Sequence, residues 1–131
     1  MIERAKSYRR IKAIAPDWDL VVSGEIYYLI ETEQGNDVGV IVFHPCDSDG
    51  LLMHVELGKE CRGARAATAY RNAFNWMFSN TDHKTLLGRI PADNAAARFM
   101  ARAVGGVFSG VDGDGLRCYS VSRSDFKKVS L

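Results

Sequence analysis

Leu51-Leu52-Met53-His54-Val55-Glu56-Leu57, followed at once by Gly58-Lys59-Glu60-Cys61-Arg62-Gly63-Ala64-Arg65-Ala66-Ala67, is the stretch that decides how this chain is read. The first seven residues form an apolar, partly alternating run of strand length. It empties into a basic turn holding two glycines, and an alanine-rich run predicts a helix over about 64–79. Ala66, Ala67, Tyr70, Ala73, Phe74, Met77 and Phe78 recur there at steps that share one face. A turn that releases backbone N–H groups at a helix start, with arginine beside it, suits an anion such as a phosphate.

Working outward, Thr85–Ile90 (TLLGRI) reads as the next strand. Pro91-Ala92-Asp93-Asn94 is a turn, and a second helix is expected over 95–104, with Phe99, Met100, Ala103 and Val104 as its apolar set. Gly105-Gly106 ends it. Residues 107–110 and 116–121 form a closing hairpin around Asp112-Gly113-Asp114-Gly115. Toward the N-terminus, residues 25–32 and 38–44 form a hairpin about Gln34-Gly35-Asn36-Asp37, and residues 45–50 form a polar turn. Ile2, Ala5, Tyr8, Ile11 and Ile14 recur every three residues among basic side chains, so a short amphipathic helix is expected over 2–15, broken by Pro16-Asp17.

Three consecutive strands predict an antiparallel meander, and the strand–helix–strand unit over 51–90 predicts a parallel pair. The expected class is α/β: a mixed, mostly antiparallel central sheet flanked by helices, with 1–131 as a single domain. The length suffices to bury a core.

Composition narrows function by exclusion. A formal net charge of +1 argues against a duplex nucleic-acid binder. No apolar run reaches the roughly 18–20 residues of a membrane span, and no signal-peptide pattern opens the sequence, so no membrane partner and a cytoplasmic location are expected. Cys46, Cys61 and Cys118 are odd in number and scattered, which suits a reduced compartment. Together with His44, His54 and His83 they make no paired metal-ligand spacing, so no metal is expected. Asp112-Gly113-Asp114-Gly115 lacks the downstream ligands of a calcium loop and reads as a hairpin turn. The basic set between Arg4 and Lys12 reads as a solvated helix face.

The element order, with Arg62-Gly63-Ala64-Arg65-Ala66-Ala67 at one junction and Asn94-Ala95-Ala96-Ala97-Arg98-Phe99-Met100 before Gly105 at another, resembles the GCN5-related N-acetyltransferase (GNAT) superfamily. The first motif looks like that family's Q/R-x-x-G-x-G/A turn, the second like its N-x-x-A stretch and helix. The similarity covers roughly residues 27–119, so the fold is expected to be N-terminally abbreviated, as in compact phage-encoded members. The second stretch also resembles GNAT-like internal virion proteins of short-tailed phages. Three positions depart from the pattern. Arg65 stands where a glycine is expected, Gly106 where the phenylalanine of the "GF" ending belongs, and Ala101 where a general-acid tyrosine is frequent.

The resemblance implies transfer of an acetyl group from acetyl-CoA (coenzyme A) to an amine: a protein N-terminus, a lysine or a small molecule. Residues 62–67 (Arg62, Gly63, Ala64, Arg65, Ala66, Ala67) would hold the cofactor pyrophosphate, and Asn94 would contact the cofactor arm or the amine while also serving as a helix cap. Leu52, His54 and Glu56 share one face of their strand. Glu56, with a pKa raised by burial, would be the general base and His54 the second candidate. A backbone N–H near Leu57 would polarise the thioester. The acceptor pocket would be built from residues 18–24 and the closing hairpin. The alternative is a non-catalytic GNAT-fold structural or assembly protein, in the host cytoplasm or a virion, partnered by another copy of itself or by another protein.

Overall fold

A computed structural model describes residues 1–46 and 50–129, the side chains of 127–129 excepted. The polar turn expected over 45–50 therefore lies largely outside the described residues. Strands β1 (Ile2–Arg4), β2 (Tyr27–Glu33), β3 (Asn36–Pro45), β4 (Leu51–Leu57), β5 (Thr85–Ile90), β6 (Val107–Val111) and β7 (Arg117–Ser122) form one sheet in the order β1-β2-β3-β4-β5-β7-β6. Helices α1 (Tyr8–Ile14), α2 (Ala64–Asn80), α3 (Ala95–Ala103) and α4 (Arg123–Val129) flank it. Every strand pair is antiparallel except β4 with β5, which α2 connects. The mixed, mostly antiparallel sheet is as expected.

Alternation along β2 and β3 divides the interior into two cores. Leu29, Ile41 and Phe43 face α2, where they meet Ala69, Ala73, Phe74 and Met77. Ile30, Val40 and Val42 face the other way, onto Ile11 and Ala15 at α1. Each fully buried aliphatic or aromatic side chain contributes roughly 1.5–3 kcal/mol. The buried carboxylate of Glu31 is matched by Asn72 of α2 at 3.0 Å and by the Met1 ammonium at 2.8 Å, as a buried charge requires.

The N-terminal helix expected over 2–15 is corrected. Residues 2–4 form an edge strand in which Ile2 pairs with Glu31, and helix begins only at Tyr8. The three-residue period misled because it spans two elements that serve opposite cores: Ile2 packs on the α2 side, whereas Ala5, Tyr8 and Ile14 pack on the α1 side. A short first strand is thus present, paired with β2.

Helix α4 has no counterpart in the sequence-based expectation. Its Phe126 ring lies 6.0 Å from Phe74 and 5.5 Å from Phe78. Arg123 donates to the carbonyls of Phe78, Thr81 (3.0 Å) and His83 (2.9 Å), so a residue distant in sequence caps the C-terminus of α2. The Gly105 turn that ends α3 has φ +89°, and a Cβ there would sit 2.8 Å from the Asp125 carbonyl oxygen. Both strain and clash oppose any side chain. Gly105→Ala is expected to cost about 2 kcal/mol or more in urea unfolding, whereas Gly113→Ala, in open space, should fall within about 0.5 kcal/mol of wild type.

Candidate functional site

Strand β4 pairs with β3 along its whole length, from Leu51 opposite Pro45 to Leu57 opposite Gly39. Its pairing with β5 stops after Leu51–Leu86 and Leu52–Leu87. Beyond that point β5 continues against β7 instead, and the two parallel strands part. Gly58 donates its N–H to the Val38 carbonyl at 2.7 Å, toward β3. Alternate residues Glu56 and His54 share that direction, so Val55 and Leu57 direct their peptide groups to the opposite edge, into the opening, while the Met53 N–H still faces Leu87 in the last rung of the ladder. The N–H near Leu57, expected as a donor, belongs to this row.

A cavity of about 230 Å³ occupies the opening. Met53 and Val55 of β4 line one side and Gly88 and Arg89 of β5 the other, over Tyr70 and Phe74 of α2. Asn94 and Ala101 of α3 also border it, as does Tyr119 of β7. Ala101 brings no ionisable group, but the cavity holds two phenols, Tyr70 and Tyr119. Burial, more than the neighbouring Cys61, pushes the Tyr70 hydroxyl pKa up, so it remains an O–H donor at neutral pH. Neither phenol was singled out from sequence, because both sit at positions whose apolar spacing reads as core.

The start of α2 follows Leu57 in the chain; residues 62–67 do not line the cavity, and Ala64 and Arg65 border a separate one with Met1, Glu31 and Glu33. Gly63 is its N-cap, at φ 59° and ψ −123°, a backbone conformation suited to glycine. No side chain caps this helix and no acidic residue occupies its first turn, so donors and the positive dipole end are left for an anion. Arg62 and Ala64 are exposed, as is Arg65, while Ala66 is buried and Ala67 partly so. The Arg65 side chain turns away, pairing with Glu33 of β2 at 3.4 Å and donating to the Glu60 carbonyl at 3.4 Å. A long side chain at the position expected to be glycine therefore does not fill the cradle.

Asn94 caps α3: its side-chain oxygen accepts from the Ala97 N–H at 3.1 Å. The capping role expected of it is present, and the residue also reaches the cavity wall.

The two candidate bases separate. Glu56 is exposed and lines neither this cavity nor the next, so the burial its role required is absent. His54 borders the cavity in the opening and also a second one, of about 380 Å³, on the α1 face of the sheet. Its ring stacks on His44 of β3, with centroids 4.9 Å apart and planes 3° from parallel. His44 Nδ1 lies 2.8 Å from the Pro45 carbonyl, which can only accept, so this nitrogen carries the proton. His54 is exposed overall, like Glu56, but partial desolvation first, then His44 and Arg89, push its pKa below the ordinary histidine value, which favours a neutral imidazole at pH 7. The second cavity is walled by Trp18, Asp19, Val21 and Ile26, whereas Tyr119 and Val121 of β7 line the first. The sequence offers His44 only as a metal-ligand candidate, because its partner across the strands depends on register.

Among the described residues no group of three or more His, Cys, Asp or Glu side chains could hold a metal ion, and no helix is long and apolar enough to cross a membrane. Asp112 Oδ1 accepts from the N–H groups of Asp114 (2.9 Å) and Leu116 (3.0 Å), so its loop is a hairpin turn.

No protein-family model matches the sequence, and no curated protein sequence matches it. Solved structures do. A spermidine N-acetyltransferase SpeG chimera, from Vibrio cholerae and hSSAT, superposes with a TM-score of 0.78 at 13% identity, over 98% of this chain and 99% of that one. Campylobacter jejuni N-acetyltransferase PseH, in complex with acetyl coenzyme A, gives 0.67 at 13% identity, over 88% of this chain and 76% of that one. Mycobacterium smegmatis RimJ, in complex with CoA-disulfide, gives 0.67 at 13% identity, over 78% and 55%. The chain has the GNAT acyltransferase fold.

The geometry makes a direct prediction for the histidine pair. His54 should titrate below about 6.5 when its ring resonances are followed by NMR. His44→Gln, which removes one of the charges holding it down, should move that midpoint upward. An unchanged midpoint would mean that the stacked ring does not act on His54.

Proposed function

We propose that the protein transfers an acetyl group from acetyl-CoA to a primary amine. The observation that carries this reading is the parting of β4 and β5, with the uncapped N-terminus of α2 following β4 in the chain. An uncapped, acid-free helix start fits a pyrophosphate, and the peptide groups of Val55 and Leu57, past the end of the β4–β5 ladder, fit an amide-bearing arm laid along them. Bound acetyl-CoA supplies an activated acetyl thioester. Residues 62–67 hold the pyrophosphate through backbone N–H groups, with Arg62 adding a charge-assisted contact. The β4 row holds the arm, and one of its N–H groups polarises the thioester carbonyl. The stretch of Asn94 that reaches the cavity borders the arm. His54, neutral and placed between the two cavities, takes the proton released as the amine attacks.

A second reading keeps the fold and drops the chemistry. It is favoured by Phe99, Val107, Phe108 and Val111, which stand exposed on α3 and the edge strand β6 and suit an assembly contact, with a second copy or another protein. Isothermal titration with acetyl-CoA separates the two. Micromolar binding that Arg62→Glu abolishes and Arg65→Ala leaves within about threefold supports acetyl transfer. Absence of heat and of any thermal shift at saturating acetyl-CoA supports the second.

Where thiol release is measured, His54→Gln should lower kcat by about 10²-fold or more, and Glu56→Gln by less than about tenfold. In the wild type, kcat should fall on acidification as His54 takes its proton from solvent. That acid limb should vanish from the residual activity of His54→Gln. The reverse order of the two substitutions would return the base to Glu56.

A further inference from the structure

The second cavity carries more than the location of an acceptor. Its wall, residues 18–26, has no helix or strand of its own, yet side chains from neighbouring elements pin it. The Tyr28 hydroxyl accepts the Val21 N–H at 3.2 Å. Lys12 donates to the carbonyls of Pro16 at 3.2 Å and Trp18 at 2.5 Å, and Arg4 donates to the Ile26 carbonyl at 3.2 Å. The pocket is therefore preformed, and the polar atoms that fix it are already engaged. What remains for a ligand is apolar and aromatic: Trp18, Val21, Ile26, Tyr28 and Val42, closed at the sheet end by the His44–His54 stack.

Among the residues lining this cavity Asp19 is the one carboxylate, and it is exposed. A single ammonium can therefore be met by Asp19 and by aromatic faces. A second or third cation in the same molecule would lose its water with no carboxylate to replace it. An apolar body gains instead, at about 25 cal/mol per Å² of surface removed from water.

We propose that this cavity binds the acceptor and selects a primary monoamine with an aromatic or branched aliphatic body over a polyamine. The proposal rests on the acetyl-transfer reading. In the step it serves, the amine nitrogen forms a bond to the acetyl carbonyl carbon, the carbon–sulfur bond breaks with its electron pair to sulfur, and His54 takes the amine proton while the thiolate takes up one from solvent. Trp18 and Val42 determine specificity through the body of the acceptor and touch no reacting atom.

Thiol release from acetyl-CoA is followed with 2-phenylethylamine, 3-methylbutylamine, putrescine and spermidine. The two apolar monoamines should exceed both polyamines in kcat/KM by about tenfold or more, the scale on which an apolar pocket discriminates. Trp18→Ala should raise KM for 2-phenylethylamine about tenfold with kcat nearly unchanged, and Trp18→Phe should restore most of it. Val42→Asp should shift the preference toward spermidine. Equal or better use of the polyamines overturns the proposal, as does a Trp18→Ala effect on kcat alone. If no amine is acetylated, titration calorimetry with 2-phenylethylamine alone decides. Binding that Trp18→Ala weakens upholds the pocket and locates the failure in acetyl transfer, whereas no binding overturns the pocket itself.

Discussion

The cavity over α2 depends on the point at which β4 and β5 stop pairing. Parallel strands in a sheet interior ordinarily bond along their length, because a buried peptide group left unpaired costs roughly 1–3 kcal/mol. Here the ladder ends at Leu52 and Leu87, and beyond it Val55 turns its peptide group into a cavity, with Leu57 following on the same edge. The fold tolerates the opening because both strands keep their other neighbours. β4 stays on β3 as far as Leu57, and β5 stays on β7 as far as Ile90. Beneath it, α2 holds Tyr70 and Phe74, with Phe74 anchored in turn against Phe43 at 5.8 Å.

A site made of main-chain groups depends little on which side chains surround it. That gives a physical reason why chains sharing 13% of their residues can share this architecture over nearly their full length. It also disposes of two departures from the family pattern. Arg65 does not obstruct the α2 cradle, since Glu33 and the Glu60 carbonyl hold its side chain to one side. Ala101 leaves the cavity without the frequent tyrosine of that helix, but Tyr70 and Tyr119 bring hydroxyls to the same space from α2 and β7. The side chains that do confer individuality are on the α1 face, where the stacked histidines and the pinned segment after Pro16 shape the second cavity.

Local features of the sequence carried most of the fold. β4 and β5 were bounded to the residue, because alternation and turn chemistry on both sides agreed. The Asn94 cap and the Gly105 stop were legible for the same reason. What escaped depends on contacts between distant residues. β1 is a strand because Glu31 and its neighbours offer a backbone edge, not because Ile2-Glu3-Arg4 prefers one. α4 exists because Phe126 finds Phe74 and Phe78, and Arg123 finds the end of α2. At the candidate site, the shared face of Leu52, His54 and Glu56 and the uncapped start of α2 were legible in the sequence, whereas the exposure of Glu56 and the stacking of His44 on His54 follow from register and burial, which no local pattern encodes.

The central claim is that the opening between β4 and β5, with the start of α2, is where the coenzyme binds. Amide chemical-shift mapping by ¹⁵N NMR during titration with coenzyme A tests it most directly. The account predicts that the largest shifts fall on Met53, Val55 and Leu57 and across residues 62–67, with β1 and α1 unmoved. Shifts concentrated on β6 and α3, or no shifts at saturating coenzyme A, would contradict it.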